Sequence, residues 1–227
     1  MSDANTHNLS NIDPDEISDV LLKVERSFQI RIDQEEFLTI KTFGNLCDIV
    51  ANKVKGIDSK TCTTQQAFYK IRNAIAVVQG LDKASITPGS ELQILFPRYD
   101  RNKKMRRLQR ELGIISDLLD IKPWLACLIT AGIVGSLLLF FFQWRIAISG
   151  LVLFITMGWL ADRFLSKELK INTVKQLTEK LSREHYIALR RNATTINRSE
   201  IARKVKELFK ADLGLEDHLL TRDATFS

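Results

Sequence analysis

From Trp124 to Ala161 the chain carries a single charged residue, Arg145. No other feature constrains the fold so tightly, because an uncharged run of this length must be shielded from water or embedded in hydrocarbon. The overall composition hides it. With 26% charged and 45% apolar residues, the 227-residue chain averages to an ordinary globular mixture. The stretch reads as two spans. One runs Pro123–Gln143, about 30 Å long at ~1.5 Å per residue, and the other Ile146 to Leu165. Gln143, Trp144 and Arg145 leave room only for a tight helical hairpin. Two alternatives stand beside this reading: a buried helical hairpin in a non-membrane core, and a re-entrant hairpin that does not cross.

The flanks support the spanning reading. Arg98, Arg101, Lys103, Lys104, Arg106, Arg107 and Arg110 precede the first span, and Arg163, Lys167 and Lys170 follow or end the second. By the positive-inside rule both long flanks are cytoplasmic. Trp124, Trp144 and Trp159 lie near the span ends, as interfacial anchors do. Asp162 and Arg163 are expected near the headgroups. The expected location is therefore the cell inner (cytoplasmic) membrane, multi-pass, with the lipid bilayer as partner. The basic run at 98–110 is expected to lie on anionic headgroups rather than on nucleic acid. Ala131 with Gly135, and Gly132 with Ser136, have small-xxx-small spacing, which suits packing within the hairpin or a homo-oligomer face.

Outside this stretch the periodicity is helical, except where "QIRID" breaks the period after Phe28 and where the stretch after Gly80 reads as a loop. Helices are predicted over Asp15–Phe28, Thr42–Val54, Gln65–Gln79, Met105–Gly113, Thr173–Glu184 and Arg198–Asp212. Asp13, Pro14, Asp15 and Glu16 form a good helix start, with a cap, a proline in the first turn and acids at the positive dipole end. No strand of useful length shows alternation. The fold class is all-α. The polar Met1–Ser10 segment lacks the pattern of a secretory signal and, as residues 1–11, is expected to be disordered.

Residues 13–54 combine a helix ending in "ERSF", an apolar-acidic stretch and "IKTFGNLCDIV". They resemble the acyl carrier protein family from its second helix to its fourth. Residues 199–227 resemble that family's first helix and following loop. The resemblance implies a four-helix domain, circularly permuted or split, formed by 12–56 and completed by 199–227. A second, carrier-like module would comprise 62–122 and 166–186, with the hairpin 123–165 inserted and 187–198 as a linker. The family holds phosphopantetheine on the Ser of an Asp-Ser-Leu motif. Here the matching position is Pro14, and no Asp-Ser-Leu occurs. A carrier-like scaffold without its prosthetic group is implied, hence no cofactor.

The rest of the sequence offers little chemistry. His7, His185 and His218 have no Cys or His partner at ligand spacing, and Cys47, Cys62 and Cys127 are unpatterned. No phosphate loop or nucleophile motif occurs. The chain is expected to be non-enzymatic, a docking or assembly module with a protein partner and no nucleic acid. The alternatives are an acyl or phosphopantetheine carrier accessory in lipid metabolism, using Ser10, Ser18 or Ser227, and a membrane-permeabilising hairpin protein.

Overall fold

The computed structural model describes residue 9 and residues 12–59, 61–140, 143–165, 168–192 and 195–226; the side chains of Gln34 and residues 162–165 are also outside it. In chain order the elements are α1 (Pro14–Phe28), α2 (Gln34–Thr39), α3 (Phe43–Lys53), β1 (Ile57–Asp58), α4 (Thr63–Gln79), α5 (Leu92–Leu95), α6 (Arg101–Leu112), β2 (Leu119–Asp120), α7 (Pro123–Leu139), α8 (Trp144–Leu165), β3 (Glu168–Leu169), α9 (Val174–Glu184), α10 (Tyr186–Leu189), β4 (Thr195–Ile196) and α11 (Arg198–Leu213). Helix dominates, and each strand has two residues. The chain divides into one unit of residues 1–73, 112–114 and 175–227 and another of residues 74–111 and 115–174.

The first unit is built from the two ends of the chain. Asp13 accepts a hydrogen bond from the Asp15 N–H and Pro14 occupies the first turn, so α1 starts where its sequence directs. Its buried face, Ile17, Val20, Leu21, Val24 and Phe28, shares a core with Leu46 and Val50 of α3 and Ile201, Val205 and Phe209 of α11. The Phe43 and Phe209 rings meet edge to face at 5.4 Å, and Phe28 lies 4.9 Å from Tyr186. The last residues close over α3. The Phe43 N–H donates to Ala224 O and the Gly44 N–H to Arg222 O, both at 2.8 Å. Gly44 is required here, since a Cβ would come within 2.7 Å of that same carbonyl.

β1 and β4 pair in parallel, Ile57 beside Thr195 and Asp58 beside Ile196. The Ser59 N–H extends the pair to Ile196 O at 2.7 Å. Two residues make a weak ladder, but the Ser59 bond and the Asn197 amide donating to Thr61 O tie Ser59 and Thr61 to the chain entering α11.

α2 interrupts the stretch where the helical period breaks. Its start is local chemistry: Glu36 accepts from the Asp33 N–H at 3.0 Å and pairs with Lys53 at 2.6 Å. That ion pair holds the Glu36 carboxyl below, and the Lys53 ammonium above, their ordinary pKa values.

In the second unit β2 and β3 are antiparallel, and the Leu92 and Val174 N–H groups donate to Asn172 O and Ser90 O. α7 and α8 pack along each other. Gly132 lies against the Phe154 ring and Gly150 against the Ser136 hydroxyl. So Gly132 and Ser136 meet the neighbouring helix of the same chain. The outer faces stay apolar and exposed, with Leu138 and Leu153 among them.

The expected two-span transmembrane hairpin is overturned. α7 has 17 residues, about 26 Å at ~1.5 Å per residue, short of a ~30 Å hydrocarbon core. Residues 141 and 142, which the expected first span includes, lie outside the described residues. Among the described residues only α8 is long and apolar enough to cross a membrane, and one such helix is weak evidence for crossing. A multi-pass inner-membrane topology with both termini cytoplasmic needs two. The lipid bilayer as partner and the membrane-bound docking role fall with it. The all-α class stands; the carrier-like bundle with a membrane hairpin does not. Of residues 1–11, expected to be disordered, only Leu9 is described, and it is buried; the side chains of Asp162 and Arg163, expected near the headgroups, lie outside the described ones.

Two outcomes follow for the first unit. Gly44→Ala should lower unfolding stability by about 1–3 kcal/mol, because the obstructing atom is backbone and cannot swing aside; a urea melt measures this. Burial pushes the Cys47 thiol up to about 12. In the native protein at pH 8 a thiolate reagent should therefore modify Cys47 about a thousandfold more slowly than an ordinary free thiol, whereas exposed Cys62 reacts freely. The stability tied to the neutral Cys47 thiol is complete below the unfolded thiol's pKa and is lost as pH rises towards 12.

Candidate functional site

α4 carries its apolar residues Ala67, Ile71, Ala74, Ile75 and Val78 inward. The spacing of Gln65, Tyr69, Arg72 and Asn73 by three and four places these polar side chains together on another face. They line a cavity of about 960 Å³ in the first unit, together with Thr61, Cys62, Gln66 and Lys70. The opposite wall is Arg190 and Arg191, which follow α10 directly.

Arg190 is the centre of this arrangement. It is only 3% exposed. One terminal nitrogen donates to Thr63 Oγ1 and, at 3.2 Å, to the Tyr186 hydroxyl. The other donates to Thr61 Oγ1 and Thr195 Oγ1, each at 3.3 Å. The guanidinium also lies 5.6 Å from the centre of the Tyr186 ring. Its Nε is buried without a hydrogen-bond partner among the described residues. Among the described residues no carboxylate forms an ion pair with it. Hydroxyls orient the charge and leave it unneutralised, an arrangement that burial makes costly.

The surrounding bonds show why it is held. Tyr186 donates to Asn197 O at 3.3 Å and accepts from the Asn197 N–H. Asn197 donates to Thr61 O at 3.2 Å. The nearest acid in the network is Glu200, whose carboxylate accepts from the Thr63 N–H at 3.1 Å, at the start of α4. Its own ion-pair partner is Arg203.

The other cations repeat the pattern. Lys70 donates to Ala188 O at 2.7 Å. Arg72 lies 5.1 Å from the Tyr69 ring centre, and its Nε too is buried without a partner among the described residues. The Arg191 N–H donates to Gln66 Oε1 at 3.0 Å. Four cations thus line one cavity, with no carboxylate or histidine in the lining. None of the four forms an ion pair among the described residues. Such a surface concentrates anions.

The residues singled out from sequence lie elsewhere. Arg98 pairs with Glu168, and Lys104 bonds Asp100 and Gln79. Arg101 is 6% exposed and donates to Phe96 O at 2.7 Å. Burial, then neighbouring Arg98, lowers its pKa. Lys103, Arg106, Arg107 and Arg110 are exposed on a helix whose Met105 and Leu108 are buried. The run is thus partly spent on its own unit's fold, which a count of charges cannot reveal. Trp124, Trp144 and Trp159 are exposed on α7 and α8; their anchor role depends on the withdrawn hairpin. Pro14 is an exposed first-turn residue, and Ser18 donates to its carbonyl. Ser10, Ser227 and His7 lie outside the described residues. His218 sits 3.1 Å from Glu216. Sequence reasoning missed the cavity. Its only signal was the polar face of α4 opposite two adjacent arginines.

No family model matches the chain, and no curated protein or solved structure does either. The acyl-carrier resemblance is therefore corrected. Its physical basis was generic: a capped, amphipathic helix pair meets the same requirements in any small helical domain. The phosphopantetheine-accessory alternative goes with it.

Proposed function

We propose that the chain is a non-catalytic binding protein whose first unit takes an anionic small molecule in the cavity beside Arg190. The observation that carries this reading is the cavity lining itself, in which Arg190 stands with three further cations and no carboxylate. None of the four cations in the lining forms an ion pair among the described residues, so their charge is left for an anion to neutralise. Lys70, Arg72 and Arg191 add positive charge around it. Binding rather than catalysis is the simpler reading because the lining is made mainly of cations and amides, with no carboxylate or histidine among them.

Inorganic pyrophosphate titrated calorimetrically into the full chain should bind saturably and raise the melting temperature. At a hundred times its dissociation constant the stabilisation should be about 2.7 kcal/mol. Arg191→Ala removes one charge from the mouth and should weaken binding about 10-fold or more, the scale of one charged hydrogen bond. An equal, salt-insensitive heat in wild type and variant, or none in either, contradicts the reading.

A further inference from the structure

The anion-binding reading leaves most of the cavity unexplained. A bare phosphate would engage the Arg190 and Arg191 wall and leave the far end empty. That end is chemically different. Tyr69, 46% exposed, has the Arg72 guanidinium over its ring at 5.1 Å, and Arg72 is also held at 5.6 Å from the Phe68 ring, so the exposed remainder of the Tyr69 ring is what a ligand meets. Such a platform of aromatic face and planar cation accepts a flat heteroaromatic ring. Asn73 adds an amide that both donates and accepts, the group needed to bond a base edge. From Gln66, which holds the Arg191 backbone, to Asn73 is seven residues of helix, roughly 10 Å at 1.5 Å per residue. The two ends are thus too far apart for one small ion. A volume of about 960 Å³ lies at the upper end of small-molecule sites.

We infer that the cavity binds a nucleoside polyphosphate, with its base stacked on Tyr69 and Arg72 and its phosphates against Lys70, Arg190 and Arg191. The inference rests on the anion-binding reading and deepens it. Charge agrees. Four cations without a carboxylate in the lining suit a ligand carrying two or more negative charges. The phosphate end is also the rigid end. Arg190 is tied by four hydroxyls, and Lys70 has one of its three donors on Ala188 O, leaving two for a phosphate. Tyr69 is exposed, so its ring can turn to meet a ligand.

The test compares ADP, inorganic pyrophosphate, adenosine and an oligo-adenylate on the full chain, by calorimetry in one buffer. ADP should bind about tenfold or more tightly than pyrophosphate, and both should outbind adenosine. Tyr69→Ala should collapse the ADP-to-pyrophosphate affinity ratio towards one, and Tyr69→Phe should restore it. A structural role for the ring would not move that ratio, and a melting curve of each variant establishes folding. Equal affinity for ADP and pyrophosphate, unaltered by Tyr69→Ala, overturns the nucleotide inference and leaves the anion site standing. Failure of both anions to bind overturns both. Oligo-adenylate binding far tighter than ADP overturns the nucleotide in favour of a nucleic-acid strand.

Discussion

The first unit depends on how one buried charge is held. Arg190 reaches across 127 residues of sequence to Thr63, and through Thr61, Thr195 and Tyr186 it gathers the loop before α4, the β4 strand and the α10 turn. Removing a guanidinium from water is costly, and hydroxyl dipoles offset only part of the cost. The structure nevertheless spends four hydroxyls on it and pairs it with no carboxylate among the described residues. A purely structural crosslink would be better served by an acid. Glu200 is close in the network, yet it caps α4 through the Thr63 N–H and pairs with Arg203. The acid is thereby engaged elsewhere, and Arg190 is left without a carboxylate partner among the described residues. This separation of partners connects the fold to a binding role.

The scaffold around it explains the rigidity. Helices from the two ends of the chain share one core, and residues 222–226 close over the start of α3, where Gly44 permits the approach. Asn197 lies just before α11 and bonds back to Thr61. The site is thus anchored on the helix whose Ile201, Val205 and Phe209 are at the centre of the core. Any loosening of that core should reach Arg190 through Asn197 and Tyr186.

Much of the fold was legible in the sequence. The caps at Asp13 and Thr42, the stop at Gly214 and the apolar spacing of α1, α3, α4 and α11 are local signals, and the elements form where those signals lie. α2 was not legible, because its start depends on Glu36 reaching back to Asp33 and across to Lys53. The apolar stretch misled for a related reason. Hydropathy sums along a sequence, while crossing requires continuous helix, and α7 ends at Leu139. The family resemblance misled because capping and amphipathicity are shared by unrelated helices. The cavity was hardest to see. Its residues come from 61–73 and 190–191, and nothing local announces that Arg190 will be buried among hydroxyls. By contrast the run at 98–110 was conspicuous, although Arg98, Arg101 and Lys104 are engaged within their own unit.

The claim that Arg190 is an uncompensated cation awaiting an anion is tested most directly at its own Nε–H. In a nuclear magnetic resonance titration of the full chain with pyrophosphate, the arginine Nε–H resonances report each guanidinium separately. The account predicts that Arg190 and Arg72 shift together along one saturation curve, with the α6 arginines 106, 107 and 110 unmoved. Shifts confined to those α6 residues, with Arg190 unchanged at saturation, would contradict it.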